Sequence, residues 1–372
     1  MQILTLNTGS SSVRMALFDG GALSKQARYP LDGDEPQALL RRFLAQPPAG
    51  ANAIGAVAHR VVHGGESLVE PCRIDAAVEA EIERLAPLAP LHNPVALAWI
   101  RACRELFRAA AQVAVFDTAL FARLPAVARH YALPQALAEQ HRLRRYGFHG
   151  LAHQAMWRRW CALRPEIPDG GRVISFQLGS GCSVTAFADG AVRDTSMGFS
   201  PLEGLMMATR SGDLDPGLLL YLQQHAGLAP EALAKILNRD SGLQGVAGER
   251  DMQKLLARDD DAARLAIEMY CYRARKYLGA YLAVLGGADA VLFGGGVGEN
   301  APLIRARILE GMDWAGIALD TRANDAATGT EARISRPNSK VDCRVVPADE
   351  SAVLAEEALR ALKGKTWKGQ DY

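Results

Sequence analysis

Two stretches of this chain, 170 positions apart, repeat one pattern, and that repeat constrains the fold more than any other feature. The first runs Leu4-Thr5-Leu6-Asn7-Thr8-Gly9-Ser10-Ser11-Ser12-Val13-Arg14-Met15-Ala16-Leu17-Phe18-Asp19-Gly20. The second runs Ser175-Phe176-Gln177-Leu178-Gly179-Ser180-Gly181-Cys182-Ser183-Val184-Thr185-Ala186-Phe187-Ala188-Asp189-Gly190. Gly9 aligns with Gly179, Ser10 with Ser180, Asp19 with Asp189 and Gly20 with Gly190. Each copy reads strand, small-residue turn, strand, tight turn. Glycine lets the chain turn sharply, and the serines leave amides and hydroxyls open to a ligand. Such a turn suits phosphate, because several N–H groups converge where no large side chain intrudes. Two copies of one hairpin predict two similar domains facing each other, each presenting a polar turn to a shared cleft.

Composition narrows the partners. A chain of 372 residues, 49% hydrophobic and 22% charged, buries full cores and needs no disorder. Net charge is +1, which argues against nucleic acid or an anionic membrane as an obligate partner. No apolar run reaches about 18 residues, so no membrane span is expected. Met1-Gln2-Ile3 leads straight into a strand, so no secretory signal is expected. The six cysteines, Cys72, Cys103, Cys161, Cys182, Cys271 and Cys343, form no C-x-x-C pair. They read as reduced thiols of a cytoplasmic protein, not as a disulfide frame or a zinc site.

Along the chain, strands alternate with helices, which predicts α/β layers. After the first hairpin a polar, Pro/Gly-punctuated stretch continues through Ala53. Residues 54–58 predict a short strand entering His59-Arg60-Val61-Val62-His63-Gly64-Gly65. Helical spacing covers 75–85 and 94–111, and 113–116 reads as a strand ending at Asp117. Arg145-Tyr146-Gly147-Phe148-His149-Gly150 is a loop feeding a helix over 151–163. The second half opens on a strand over 172–178. Helices follow at 216–225, 230–237 and 261–285, then a strand at 290–293 running into a glycine-rich loop. Pro302 starts another helix, 344–347 is a last strand, and 350–362 is a final helix.

Several segments carry candidate chemistry. Gly294-Gly295-Gly296-Val297-Gly298 sits between a strand and a helix, where a glycine loop holds a nucleotide against a helix N-terminus. A plain tight turn reads equally well. No acidic residue follows at the dinucleotide spacing, and Gly364-Lys365-Thr366 only imitates the end of a phosphate loop, since Leu359 stands where its first glycine belongs. Two H-x-x-x-H spacings, His59…His63 and His149…His153, lack the glutamate of a zinc peptidase, so metal ligation there is not expected. His149 lies between Phe148 and Gly150, an odd place for a core histidine. Arg60 and Arg210 are the leading anion binders, because a guanidinium fork fits carboxylate and phosphate. Asn7, Asp117 and Glu350 are oxygen donors suited to Mg²⁺, or else helix caps. Met206, Met207 and Met252 read as packing.

Taken together these segments resemble the acetate kinase family of short-chain carboxylate kinases, within the sugar kinase/Hsp70/actin superfamily. The resemblance is carried by Asn7-Thr8-Gly9-Ser10-Ser11-Ser12, by His59 to Gly65, by Ala89-Pro90-Leu91-His92-Asn93-Pro94 and by Phe116-Asp117-Thr118-Ala119. It continues through Tyr146 to Gly150, Ser196 to Met207, Thr209 to Pro216 and Gly296 to Asn300. The resemblance implies two ribonuclease-H-like domains, one over 1–150 joined by the helix at 350–364, the other over 151–349. It implies reversible transfer of the ATP γ-phosphoryl to acetate, with Mg²⁺ (Mn²⁺ as substitute), in a cytoplasmic homodimer. By match, Arg60, Asp117, His149 and Arg210 surround the transferred phosphoryl, with His92 nearby. Val62, Leu91, Phe148 and Pro201 form the acyl pocket. Asn7, Ser10, Ser12 and Arg14 make the first-domain turn, and Asn7 and Glu350 assist the metal. Gly179, Ser180, Gly181, Cys182 and Ser183 hold ADP together with Gly296, Val297, Gly298, Glu299 and Asn300. Asp251 lies near the ribose or base. Closure of the two domains excludes water during transfer.

The departures from the family pattern fall on the phosphoryl-donor side. The usual His-Leu-Gly-Asn-Gly is Gln177-Leu178-Gly179-Ser180-Gly181, the usual Asp-x-Arg is Asp251-Met252-Gln253, and the usual Asn-Glu-Glu is Asp349-Glu350-Ser351. These changes predict altered ATP affinity, or a different donor such as pyrophosphate or another nucleoside triphosphate. Propionate or another short acid as acceptor is an alternative, because a small apolar pocket separates one methylene by only about 1–3 kcal/mol. A catalytically weak, nucleotide-dependent binding protein is the reading from another class, opposed by the retained Arg60, Asp117, His149 and Arg210.

Overall fold

The structure is a computed structural model and describes residues 1–9, 12–45 and 54–364. The repeat seen in the sequence is a repeat in space. Strands β1 (Gln2–Thr8), β2 (Ser12–Asp19) and β3 (Ala22–Pro30) form an antiparallel meander. Strands β4 (Ile54–Val61) and β6 (Ala111–Phe116) add to it in parallel, with β5 (Cys72–Arg73) antiparallel at the far edge. The order is β3-β2-β1-β4-β6-β5. The second sheet repeats this plan. Its meander is β7 (Val173–Leu178), β8 (Cys182–Ala188) and β9 (Ala191–Thr195). The parallel strands are β10 (Ala290–Gly294) and β12 (Asp342–Val345), with β11 (Ala332–Arg333) antiparallel at the edge. The order is β11-β12-β10-β7-β8-β9. Both sheets have the ribonuclease-H-like strand order, so the fold is α/β with two such domains.

Even the second turn of each meander is conserved in kind. Gly20 and Gly21 have φ of 58° and 91°, and Asp189 and Gly190 have 54° and 70°. Two consecutive left-handed residues match the right-handed strand twist, which is why each tight turn needs Gly or Asp there.

The chain divides into two compact units. Unit 1 holds Met1–Ala122, His149–Ala155 and the C-terminal segment from Asp349; unit 2 holds Arg123–Phe148 and Met156–Ala348. The segment 123–148, which precedes the boundary expected at residue 150, groups with unit 2. In unit 1 alternation sends Leu4, Leu6, Val13, Met15 and Leu17 to one face, where they pack with Leu39, Leu40, Phe43, Trp99 and Cys103. Ile3, Ala16, Phe18, Ala56 and Ala58 face the other way, against Leu151, Val353, Leu354 and Ala358. Three alanines on that face let the helix Glu350–Leu362 lie close against β1, β4 and β6. That packing fixes where its first residue, Glu350, stands. In unit 2, Phe176 on β7 stacks on Phe293 on β10 at 5.3 Å, so the two strands that end in glycine turns share one core.

Some local expectations needed correction. The stretch expected to be irregular through Ala53 holds β3 and the helix Pro36–Leu44. Pro36 opens that helix and Leu39, Leu40 and Phe43 bury one face of it. The helix expected to reach residue 111 spans Asn93–Leu106. The small apolar run after it suits helix or strand, and the parallel ladder with β4 takes Ala111 and Gln112 into β6. The glycine-rich loop after β10 closes immediately into the helix Gly295–Asn300.

Candidate active site

In unit 1, parallel strands β1, β4 and β6 end side by side, and their carboxyl ends carry Asn7, Arg60 and Asp117. Arg60 Nε donates to Asp117 Oδ2 at 2.9 Å, and Nη2 donates to the same oxygen. Arg60 Nη1 donates to Asn7 Oδ1 at 3.0 Å. Asn7 Nδ2 in turn donates to Glu350 Oε2. Four residues from four elements are thus tied into one chain of bonds. Asp117 is fully buried and Arg60 nearly so, so the pair is held with little water to weaken it. Burial alone would lower the Arg60 pKa, but Asp117 and Glu350 more than offset this and hold it above its ordinary value. Arg60 is therefore a permanent, fixed cation.

The segment 149–155 is anchored on the same carboxylate. Leu151 N–H points at Asp117 Oδ1 at 3.4 Å. Gly150 is required here, because a Cβ would sit 2.0 Å from the Asp117 carbonyl oxygen. His149, one residue earlier, has φ of 59°, a left-handed conformation that costs a non-glycine residue about 1 kcal/mol or more. His92 opens the helix Asn93–Leu106, its carbonyl accepting from Ala96 N–H at 2.9 Å. Asn93, not singled out in the sequence, receives His63 N–H on Oδ1 at 3.1 Å and returns a bond to the His63 carbonyl at 3.0 Å. It fixes the chain just after Arg60 and Val62.

Ser12 and Arg14 lie on β2, while Ser10 is outside the described residues. The first-turn glycine does less than expected. Neither Gly9 nor Gly179 has positive φ, and a Cβ on Gly179 would meet Gly181 O at an ordinary 3.5 Å. What the glycine provides is an absent side chain over the turn's amides.

In unit 2 the turn Gly179–Gly181 connects β7 to β8 and is closed by Gly179 N–H to Gly181 O at 3.1 Å. Cys182 Sγ donates to Gly179 O at 3.3 Å and lies 3.2 Å from Tyr270 Oη. Burial pushes its thiol up to about 11 despite Tyr270 and Arg210, so it holds the turn as a neutral thiol and is no nucleophile. Ser183 is buried on β8. Ser180 is exposed, and its carbonyl accepts from Ala208 N–H at 3.1 Å.

The second glycine segment lies beside this turn. Gly295 has φ of 77°, and a Cβ there would lie 2.6 Å from Leu178 O and 2.8 Å from Gln177 Nε2. Gly296 has open space where a Cβ would be. Val297 and Gly298 continue the short helix. Glu299 Oε1 accepts from Gly295 N–H at 2.9 Å and from Ala348 N–H at 3.2 Å, so this carboxylate braces the segment. Asn300 Nδ2 donates back to Gly296 O at 3.0 Å. Asp251 caps the helix Met252–Leu256 by accepting from Gln253 N–H at 2.9 Å.

Arg210 contrasts with Arg60. Nη1 donates to Pro201 O at 3.0 Å, and the guanidinium has no carboxylate partner among the described residues. Burial lowers its pKa. Of the residues assigned to the acyl pocket, Val62 and Phe148 are buried, Pro201 is half-buried and Leu91 is 45% exposed. Val62 and Leu91 belong to unit 1, Phe148 and Pro201 to unit 2.

Sequence reasoning missed Arg305 altogether. It is wholly buried in unit 2 and donates to Asn324 Oδ1 and to the carbonyls of Gly298, Glu299, Asn324 and Ala327. A signal was present: Arg305 sits between Ile304 and Ile308 on the apolar face of the helix Pro302–Leu309.

Two ribonuclease-H-like domains, with glycine turns at the strand ends and a buried arginine fixed by an aspartate at the end of a parallel sheet, define the class, a two-domain phosphotransferase. Comparison with known proteins gives the particular member. The acetokinase family model matches residues 37–356, and the chain belongs to that family. It is 46% identical to the acetate kinase of Clavibacter michiganensis, covering 97% of this chain and 99% of that one. The crystal structure of Porphyromonas gingivalis acetate kinase superposes with a TM-score of 0.88 at 36% identity, over 97% of this chain and 99% of that chain. A propionate kinase from Francisella tularensis gives 0.86 at 34% identity, over 96% and 98%. The activity is that of a phosphotransferase with a carboxyl group as acceptor.

Proposed function

We propose that the reaction is direct in-line transfer of the γ-phosphoryl of ATP to acetate, giving acetyl phosphate and ADP. The observation that carries this is the pair of arginines in opposite states, Arg60 fixed by Asp117 and Asn7, and Arg210 without a counter-ion. A carboxylate acceptor is ionised at neutral pH and needs no general base. What the reaction needs is alignment and neutralisation of two anions. By family match, Arg60, His149 and Arg210 are the groups proposed to neutralise the transferred phosphoryl. Asp117 is a positioning residue, since both its oxygens are engaged inside the protein.

The donor set fits Mg²⁺, which takes few protein oxygens and keeps its water. Glu350, held by Asn7, would hold it, and the ion would supply charge neutralisation on the phosphates. Gly179 to Ser183 and Gly296 to Asn300 are the proposed nucleotide contacts, with Asp251 near the base.

A second donor is favoured by one observation. Gln177 Oε1 is buried without a hydrogen-bond partner, against Gly295. An amide in place of the family's histidine supports a changed donor preference, with pyrophosphate or another nucleoside triphosphate as the alternative. The homodimer is supported by an exposed apolar stripe on the helix Asp261–Leu285, made of Leu265, Met269 and Tyr272, and by exposed Leu218, Leu220 and Tyr221. No described helix is long and apolar enough to cross a membrane.

Trapping acyl phosphate with hydroxylamine tests the reading, using acetate, propionate and butyrate against ATP, GTP and pyrophosphate. Strong signal with acetate and ATP is the expected result. Signal only with another donor assigns Gln177 and Ser180 to donor selection, and silence throughout overturns a catalytic reading.

A further inference from the structure

In unit 2 the segment after β9 turns back on itself without the help of a sheet. From Phe199 to Glu203 no backbone N–H reaches a backbone carbonyl among the described residues. Side chains hold this turn instead. Phe199 N–H donates to Tyr131 Oη at 2.7 Å, and Arg210 Nη1 donates to Pro201 O at 3.0 Å. Glu203 accepts the Tyr131 hydroxyl on Oε2 and Arg145 Nη2 on Oε1, the latter at 2.7 Å. One phenol oxygen thus accepts from the start of the turn and donates to its end. Tyr131 and Arg145 both come from the segment 123–148, which also meets the turn through its backbone. Tyr146 N–H and Gly147 N–H donate to Gly198 O at 3.0 and 3.3 Å. The residue that follows them is Phe148. Phe148 and Pro201 are the two unit 2 residues assigned to the acyl pocket, and one clamp holds the segments that carry both.

Gly198 is shaped to this clamp. Its φ lies outside the left-handed region, so the turn itself does not call for glycine. A Cβ there would lie 1.6 Å from Glu203 Oε2 and 2.1 Å from Tyr131 Oη. The missing side chain leaves the space in which carboxylate and phenol meet. Arg145 is fixed in turn, with Nε donating to Ala128 O at 3.1 Å and the guanidinium 5.6 Å from the centre of the Tyr131 ring. Burial, and after it Glu203, hold the Tyr131 phenol above its ordinary pKa, so it stays a neutral donor.

We propose that Tyr131, Arg145 and Glu203 are positioning residues that set how long an acyl chain the acceptor site takes, by holding Phe148 and Pro201 at a fixed separation. The inference rests on the acetate kinase reading and on the match that assigns those two residues to the acyl pocket. A fixed apolar wall separates acids by about 10–200-fold per methylene, and a wall that yields separates them less. Pro201 stands in a turn with no backbone ladder, so the clamp supplies the stiffness that a sheet would otherwise give. Loosening it admits the longer acids. A clamp that serves only the fold predicts something else, a lower Tm with the order and spacing of the acids unchanged.

Tyr131→Phe tests this, because it removes one hydroxyl and keeps the ring. Two readouts on the full chain are needed. Hydroxylamine trapping with acetate, propionate and butyrate reads selectivity in turnover. Thermal melting with the same acids reads selectivity in binding and needs no turnover. In Tyr131→Phe the preference for acetate over butyrate in kcat/KM is expected to narrow about fivefold or more, with the KM for acetate raised and the KM for ATP within about twofold. In the melts, the apparent affinity of the wild type falls from acetate to butyrate, and that of the variant falls less. Glu203→Gln is expected to give the same narrowing, and the double variant no more than either single, since both changes open one clamp. An unchanged acid preference in both single variants overturns the inference, as does a KM for ATP that rises in parallel with that for acetate. A wild type that forms no acyl phosphate but is protected by the acids in graded order overturns the kinase reading alone, and the melts of the variants then decide on the clamp. Absence of both turnover and protection overturns both.

Discussion

Arg60 Nε meets Asp117 Oδ2 at 2.9 Å in a nearly dry contact, with the side chains 11% and 1% exposed. The same carboxylate faces Leu151 N–H, two residues after His149. One buried acid therefore orients both Arg60, the proposed phosphoryl-binding cation, and the segment that carries the strained histidine. Asp117→Asn keeps the shape and loses the charge. It is expected to lower kcat about 10²-fold or more, the scale of losing an oriented transition-state donor. It is also expected to cost about 3 kcal/mol of stability, because it leaves a buried guanidinium without its counter-ion. Hydroxylamine trapping and urea unfolding measure the two effects. Full activity in a destabilised variant would show that the ion pair is only structural.

Arg210 predicts the opposite stability result. Its guanidinium is desolvated and has no carboxylate to lose. Arg210→Gln is expected to reduce kcat by about 10²–10³ while leaving the unfolding free energy unchanged or raised. Comparing urea midpoints of this variant with those of Asp117→Asn tests the contrast. A loss of stability at Arg210 equal to that at Asp117 would mean that the charge is satisfied by the fold itself.

The features most legible in the sequence were those with a short-range signature. The duplicated meander showed in Gly9 and Gly179 and in the paired turns, and the helix Asp261–Leu285 showed in its caps and periodicity. Arg60 stood out at a strand end, and Arg210 in a polar turn before a helix, flanked by Gly212 and Asp213. The arrangement around them was not legible. Asn7, Arg60, Asp117 and Glu350 are joined across as many as 343 positions by sheet order and by one helix folding back, and no local pattern encodes that. Glu299 was assigned to the nucleotide by family match alone, and no local pattern in the sequence announced that its carboxylate also braces the glycine segment. Gly150 read as a loop glycine, and only the approach of the Asp117 carbonyl reveals why no Cβ fits.

Acid should weaken this fold before it protonates the carboxylates. His59 bonds Gln112 Oε1 at 2.7 Å inside the sheet, and His63 Nδ1 accepts from Gly65 N–H at 3.0 Å. Both rings are buried, and burial pushes each pKa down to about 4 from 6.5. Unfolded, each ring takes a proton near pH 6.5 that the folded ring refuses until about pH 4. The unfolded chain therefore binds more protons between those values, and stability falls as pH falls through that window. The full loss is about 3 kcal/mol for each histidine by pH 4, from a 2.5-unit difference at 1.36 kcal/mol per unit. Urea midpoints at pH 7, 6, 5 and 4.5 should fall steadily, and His59→Gln should flatten the slope. A midpoint independent of pH between 7 and 4.5 would contradict the neutral buried state of both rings.

Arg305 predicts a kinetic signature confined to the donor. Its Nη1 takes the carbonyls of Gly298 at 2.8 Å and Glu299 at 3.2 Å, closing the helix that presents the open Gly296. Its other nitrogens hold Asn324 and Ala327, so one side chain joins the glycine segment to the helix Thr321–Ala326. Burial lowers its pKa to about 10, only partly offset by the Asp325 charge, and the cation persists because five acceptors surround it. Arg305→Met removes every bond and leaves those carbonyls unsatisfied, at a cost of about 3–5 kcal/mol. Arg305→Lys keeps the charge and part of the bonding, and folds. In the lysine variant the KM for ATP is expected to rise about tenfold while the KM for acetate stays within twofold, since no Arg305 contact reaches the residues assigned to the acyl pocket. A parallel rise in both constants would assign Arg305 to general stability instead of nucleotide positioning.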